Sequence, residues 1–353
     1  MNILYDNIIF SLQHCGGISV VWGKLLDYAT KQQDVNIHII EYKGAKTNLV
    51  RKDLDLSSCT SSILKRSLMK LRRLFNPSVP DRFNTSERFI FHSSYYRTCS
   101  HPNAINITTV HDFGYYLFVK NPLLRKIHCH QQFNAIRKSD WVACISQNTR
   151  KDLLRIMPDV NPDKVVVINN GVDKRFNVIE GAKKQSYVLF VGKRDRYKNF
   201  DALISPLSKC GRTLKIVGVP LNEAEKQKMN ACGLKYEYCG FVSDEELNRI
   251  YNSAFCLLYT SLYEGFGLPV LEAQMAGCPV IAMNASSIPE VIGDKRLLLN
   301  EMTEEALKNK FELLANNEER DKIVAAGLEN AMSFSWEKMS AEYFELYRNA
   351  LKQ

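Results

Sequence analysis

Short apolar runs alternating with longer amphipathic stretches constrain this chain more than any other feature. Runs such as MNILYDNIIF at 1–10, FIF at 89–91, WVAC at 141–144, SYVLFVG at 186–192 and FCLLYTS at 255–261 read as strands. Between them lie stretches such as ISVVWGKLLDYATK and SQNTRKDLLRIM, whose apolar residues fall at helical spacing. Strand–helix repetition of this kind is the pattern of parallel sheets wrapped by helices, an α/β fold class. The 353 residues exceed a usual single core, so two domains are expected. The first runs over residues 1–170, a polar linker covers 171–185, the second domain covers 186–335 and a last helix covers 336–353.

The stretch EGFGLPVLEAQMAG, residues 264–277, carries the most chemistry. A strand run precedes it, and its second part has helical composition, with Pro269 suited to the first turn and Gly277 to the stop. Gly265 and Gly267 thus lie in a strand-to-helix turn that permits close backbone approach. The amides from Gly265 through Phe266 and Gly267 to Leu268 open a helix N-terminus, which favours an anion such as phosphate. Ionised Glu264 and Glu272 only accept hydrogen bonds. Beside a phosphate they must face hydroxyl donors, such as those of a ribose and a sugar. That combination describes a nucleotide-sugar.

Other stretches supply further candidates. KRDRYKNF places Lys193, Arg194, Arg196 and Lys198 between a strand and a helix, where a diphosphate's charge can be neutralised. Gly16 and Gly17 lie at the first strand-to-helix turn, either as an ordinary tight turn or as a place where ligand oxygens meet backbone amides; the GxGxxG of dinucleotide folds is absent. His92 lies near the end of one strand run and His111 just after another, at the ligand-binding edge of open parallel sheets, although an isolated histidine such as His92 is more often structural. His128 and His130, two apart on a helix, point to different sides and make no metal pair. The DLDL at 53–56 is a three-residue DxD match with no strong strand before it, and is read as chance.

Glu, seven residues, Glu, with GFGLPVL between, resembles the signature of retaining glycosyltransferase family 4, and the resemblance extends along nearly the whole chain. It implies the GT-B fold: two Rossmann-like domains facing each other across a cleft, with the C-terminal helix crossing back to the first. It further implies that Glu272 binds the ribose and Glu264 the donor sugar, and that the loop of Gly16 and Gly17 faces the cleft. TVHD is similar to the family's sugar-contacting histidine, which assigns that role to His111. GFVSDEEL resembles the segment lying against the base, with Phe241 as the wall. The family's basic loop often ends in Arg-Lys-Asn. Here Tyr197, Lys198 and Asn199 stand there, so Lys198 matches, and Lys193, Arg194 or Arg196 must supply the second charge. Catalysis in the family needs neither metal nor other cofactor, the nucleotide-sugar being a co-substrate. IIFSLQHCGGIS and FHSSYYR resemble transferases of bacterial surface-polysaccharide assembly. From them follow GDP-mannose as the favoured donor, a UDP-sugar as the alternative, and a glycan or lipid-linked glycan as acceptor.

The formal net charge of +9 favours anionic partners. Residues 63–75, ILKRSLMKLRRLF, form an expected basic amphipathic helix. It either lies on an anionic membrane or turns its stripe into the core. The ten cysteines show no CxxC spacing, the N-terminus has no basic leader with an apolar core, and no apolar run reaches the ~18 residues of a span. A cytoplasmic protein, peripheral at most on the inner face of the plasma membrane, is expected. Two rival classes are a glycoside hydrolase using Glu264 and Glu272, and a non-catalytic basic protein binding membrane or nucleic acid. The first leaves the lysine loop without a role, and the second leaves the acids and glycines without one, so nucleic acid is not an expected partner.

Overall fold

The computed structural model describes residues 1–65 and 73–353. They fall into two units, residues 1–170 with 336–353, and residues 171–335. In the first, β1 (Asn2–Asp6), β2 (Asn36–Tyr42), β3 (Thr60–Leu64), β4 (Phe89–Ser93), β5 (Ala104–Val110), β6 (Trp141–Cys144) and β7 (Val165–Val167) pair in parallel in the order β3-β2-β1-β4-β5-β6-β7. Ile3, Leu4 and Tyr5 are buried along with Phe89, Ile90 and Phe91, because helices cover both faces of the sheet and consecutive residues must all be apolar.

The second unit repeats the plan. β8 (Val188–Val191), β9 (Leu214–Val217), β10 (Tyr236–Gly240), β11 (Cys256–Tyr259), β12 (Val280–Met283) and β13 (Leu298–Leu299) run parallel in the order β10-β9-β8-β11-β12-β13. In both sheets the strand order reverses once, between β1 and β4 and between β8 and β11. At such a point the loops leaving adjacent strands diverge to opposite faces and open a crevice at the carboxyl edge, where ligands bind in this class of sheet.

Two local expectations change. The first apolar run ends as a strand at Asp6, and Ile9–Leu12 is a helical turn with Ile9 and Phe10 buried; a short buried run has no periodicity to distinguish the two conformations. The helix expected from residue 63 begins instead as the edge strand Thr60–Leu64, where Ser62 Oγ lies 2.9 Å from His38 Nε2. Residues 66–72 of that expected helix lie outside the described residues. The polar segment at 171–185 is tied down by side chains: Asn248 Oδ1 accepts from Asn177 N–H, and Asn252 Oδ1 from Ile179 N–H at 2.7 Å.

The last helix, Trp336–Lys352, belongs to the first unit and packs on the helix Gly17–Thr30 and on β4. Its contact is an aromatic cluster. Tyr347 OH lies 2.6 Å from His92 Nδ1, Thr109 Oγ1 3.0 Å from His92 Nε2, and Tyr343 OH 2.8 Å from Thr109 Oγ1. Trp22 meets the His92 ring edge-on. Fully buried and engaged at both nitrogens, His92 has its pKa pushed down to about 3, first by burial and then by the neighbouring His111. It is a neutral core histidine holding the C-terminal helix.

Candidate active site

The candidate residues of the second unit gather at its switch point. β8 runs through Gly192 into a short 3₁₀ turn, Arg196–Lys198, and Asn199 takes a left-handed conformation (φ 56°) before the helix Phe200–Lys209. Asparagine tolerates that conformation better than most residues, which suits Asn199 to the post. Lys198 is thereby presented beside β11. Thr260 Oγ1 donates to the Lys198 carbonyl, and Leu262 N–H to the Tyr197 carbonyl.

Lys198 Nζ donates to both carboxylate oxygens of Glu264, at 2.6 and 2.7 Å. The pair is partly shielded, with side chains 20% and 12% exposed, so it is neither a fully solvated nor a deeply buried bridge. Tyr259, the last residue of β11, donates its phenol to Glu264 Oε1. Burial raises the Tyr259 phenol well above its ordinary range, followed by the charge of Glu264, with a smaller part from Glu272. The two acids thus act on one buried phenol.

The turn itself is pinned from the loop after β12. Ser286 and Ser287 both donate to the Glu264 carbonyl, and Ser287 also donates to Phe266 O at 2.8 Å. Gly267 caps the helix Leu268–Met275 at φ 115°, and a Cβ there would meet Ile288 Cδ1 at 2.9 Å. Leu268 and Pro269 open the helix as expected. Glu272, on its second turn, accepts from Tyr251 OH at 3.2 Å. Part of the Glu272 surface remains accessible, yet protein packs closely enough around its carboxyl to raise its pKa to about 7; burial is the largest cause, and Asp244 and Asp173 add to it.

A row of glycines lines the same edge. Gly192, Gly218 and Gly240 end β8, β9 and β10, and a Cβ on Gly218 would approach Gly192 O to 2.5 Å. Phe241 follows Gly240 and is 77% exposed.

Arg194 does not join this group. Its guanidinium donates to Glu225 Oε1 at 2.8 Å and to the carbonyls of Val219 and Pro220, and only 2% of the side chain is exposed. Glu225 closes a capping box with Asn222, so Arg194 is spent on the start of the helix Glu223–Ala231. Lys193 and Arg196 remain exposed.

The first unit carries the other candidates. Gly17 begins the helix Gly17–Thr30 with Gly16 as its cap. Gly16 has extended backbone, and a Cβ on Gly17 would meet nothing within 4 Å. His111 follows β5 and lines a small cavity with Trp22, Ser93, Thr109 and Tyr343. Burial pushes its pKa down to about 4, although the ring keeps some accessible surface, so it is neutral near pH 7. His128 is buried against Tyr115 and Tyr95, whereas His130 is exposed beside Asn134, on the separate sides that helical spacing requires. Tyr259, Tyr251 and Thr260 were not legible as site residues. Only their places at a strand end and on a neighbouring helix bring them in.

The chain matches "Glycosyltransferase Family 4" over residues 15–176 and "Glycosyl transferases group 1" over residues 172–330. It is 38% identical over 112 residues to the O-antigen chain mannosyltransferase B of Escherichia coli, a match that covers 31% of this chain and 29% of that protein. It is 27% identical to the O-antigen chain mannosyltransferase RfbU of Salmonella typhimurium, over 54% of this chain and 56% of the other. Among solved structures, Anabaena HepE, crystallised with UDP and glucose, superposes with a TM-score of 0.69 at 16% identity, over 99% of this chain and all of that one. Family patterns that meet end to end from residue 15 to 330, on two parallel Rossmann-like sheets with a GT-B neighbour, place this chain in glycosyltransferase family 4.

Proposed function

We propose that the protein transfers a mannosyl group from GDP-mannose to a hydroxyl of a glycan or lipid-linked glycan, with retention of configuration, in the assembly of a bacterial surface polysaccharide. The observation that carries the reading is the pairing of Lys198 with Glu264 at the switch point, next to Glu272 and the glycine-capped helix. Without ligand, the cation is matched by the acid. With donor bound, Lys198 turns to the diphosphate, with Lys193 as the second cation, and Glu264 takes sugar hydroxyls. Glu272 accepts from the ribose, the amides from Gly265 to Leu268 hold sugar and phosphate oxygens, and Phe241 covers the base. In the first unit, His111, being neutral, can exchange hydrogen bonds with a sugar without bringing a charge, and the turn at Gly16 and Gly17 suits a place where ligand oxygens meet backbone amides. Catalysis here is positional and electrostatic.

The names of the O-antigen relatives support mannose, and the UDP complex of HepE keeps a UDP-sugar as the second donor to try. A hydrolase has no diphosphate to hold, so it leaves Lys198, Lys193 and the glycine-capped helix start without a role, which speaks against it. We place the enzyme in the cytoplasm, peripheral at most on the inner face of the plasma membrane. Five buried thiols, at Cys99, Cys129, Cys144, Cys256 and Cys278, suit a reducing compartment.

The test is release of nucleoside diphosphate from a panel of nucleotide-sugars with a glycan acceptor. GDP-mannose is expected to turn over fastest. One unit charge at 4 Å is worth about 4 kcal/mol at an effective dielectric of 20, so Lys198→Ala should cost several hundredfold in kcat, on the order given by the barrier. Free sugar released without nucleotide, or a Lys198→Ala variant of full activity, would overturn the reading.

A further inference from the structure

The net charge of this protein is confined to one unit. Residues 1–170 with 336–353 contain 26 lysines and arginines against 16 aspartates and glutamates, a balance of +10, while residues 171–335 contain 21 against 22. Within the first unit, no acid occurs between Asp112 and Asp140, and five cations do.

That acid-free stretch also holds an apolar surface. The helix Gly114–Phe118, sequence GYYLF, has no buried residue. Tyr115 stacks on His128 with one face, Tyr116 lies beside Phe133, and each is exposed over about two-fifths of its surface. Leu123 and Leu124, in the first turn of the helix Pro122–Lys138, are 65% and 53% exposed, and Lys120, Arg125 and Lys126 around them are exposed too. Leucines open to water beside tyrosines and exposed cations are a poor arrangement for a water-facing helix start. It suits a surface that is apolar below and anionic above. Tyrosine favours the headgroup level, leucine the acyl boundary, and lysine and arginine the phosphates.

We infer that residues 115–126 dock the protein on an anionic lipid bilayer, with Leu123 and Leu124 entering the headgroup boundary and Lys120, Arg125 and Lys126 pairing with lipid phosphates. The surface begins four residues after His111, so a membrane-borne acceptor would arrive beside that histidine. Docking stands apart from the donor reading, since vesicle binding and nucleotide-sugar turnover can fail separately.

The experiment is flotation of the full chain with phosphatidylcholine vesicles, with and without phosphatidylglycerol. The protein should float with the anionic vesicles only, and release as salt rises. The triple variant Lys120→Glu, Arg125→Glu, Lys126→Glu should bind roughly a hundredfold more weakly. Leu123→Ser with Leu124→Ser should weaken binding about tenfold at unchanged salt. Both variants should melt with the parent, since the substituted side chains are exposed. Failure of the parent to float with anionic vesicles, or variants floating as it does, would overturn the inference. So would a concentration-dependent dimer in sedimentation that the leucine variant abolishes, because the face would then belong to a second copy.

Discussion

Glu272 sits where burial raises its carboxyl pKa to about 7, so near neutrality it is part protonated. In the proposed ribose-binding role, the carboxylate accepts two hydroxyls better than the acid, whose O–H is itself a donor, so donor binding would favour the ionised form. Affinity for a nucleoside diphosphate should therefore rise with pH through 7, by about tenfold from pH 6 to pH 8. Glu272→Gln should flatten the profile, and calorimetric titration across that range checks it; a parent profile as flat as the variant's would remove Glu272 from the ribose. The stability sign is opposite. The folded chain keeps a proton that the unfolded chain releases above the ordinary carboxyl range. The stabilisation from that proton is full below about 4.5 and is lost as pH rises through about 7. His111 works the other way. With its pKa lowered to about 4, it contributes stability above the ordinary histidine value, and this is lost as pH falls from about 6.5 toward 4.

At the scale of the element, the turn from Glu264 to the helix Leu268–Met275 depends on one glycine. At φ 115° and with Ile288 Cδ1 2.9 Å from a would-be Cβ, Gly267→Ala combines backbone strain with a clash, and should cost about 1–3 kcal/mol. Urea denaturation of the full chain should show that loss, together with weaker nucleotide binding, because the helix start and the Glu264 carbonyl shift together. A variant as stable as the parent would mean that the turn relaxes freely. This element was legible beforehand: Pro269, Gly277 and the preceding apolar run mark a strand, a turn and a helix by local chemistry. The helical turn Ile9–Leu12 and the strand Thr60–Leu64 were not, because runs of four or five residues carry no usable period and their neighbours decide the conformation.

At the scale of the molecule, the C-terminal helix completes the first unit through His92, Tyr343 and Tyr347. Tyr347→Phe deletes the hydroxyl 2.6 Å from His92 Nδ1 and leaves a buried ring nitrogen unsatisfied, which should cost about 1–3 kcal/mol. Denaturation followed by tryptophan fluorescence should register the loss, with Trp22 edge-on to His92 as a reporter. An unchanged midpoint would show that the bond carries no stability.

The sequence by itself determined the α/β class, the two-domain plan and the family motif of glutamates and glycines, since periodicity, turn chemistry and motif spacing are properties of neighbours along the chain. Only the tertiary structure decided which candidates share a site. It brought Lys198 to Glu264 across 66 residues, committed Arg194 to Glu225, made His92 a core residue and set the Glu272 carboxyl near neutrality. Ion pairing and desolvation depend on which strands lie side by side, and the order β10-β9-β8-β11 is not written in any single stretch of the chain.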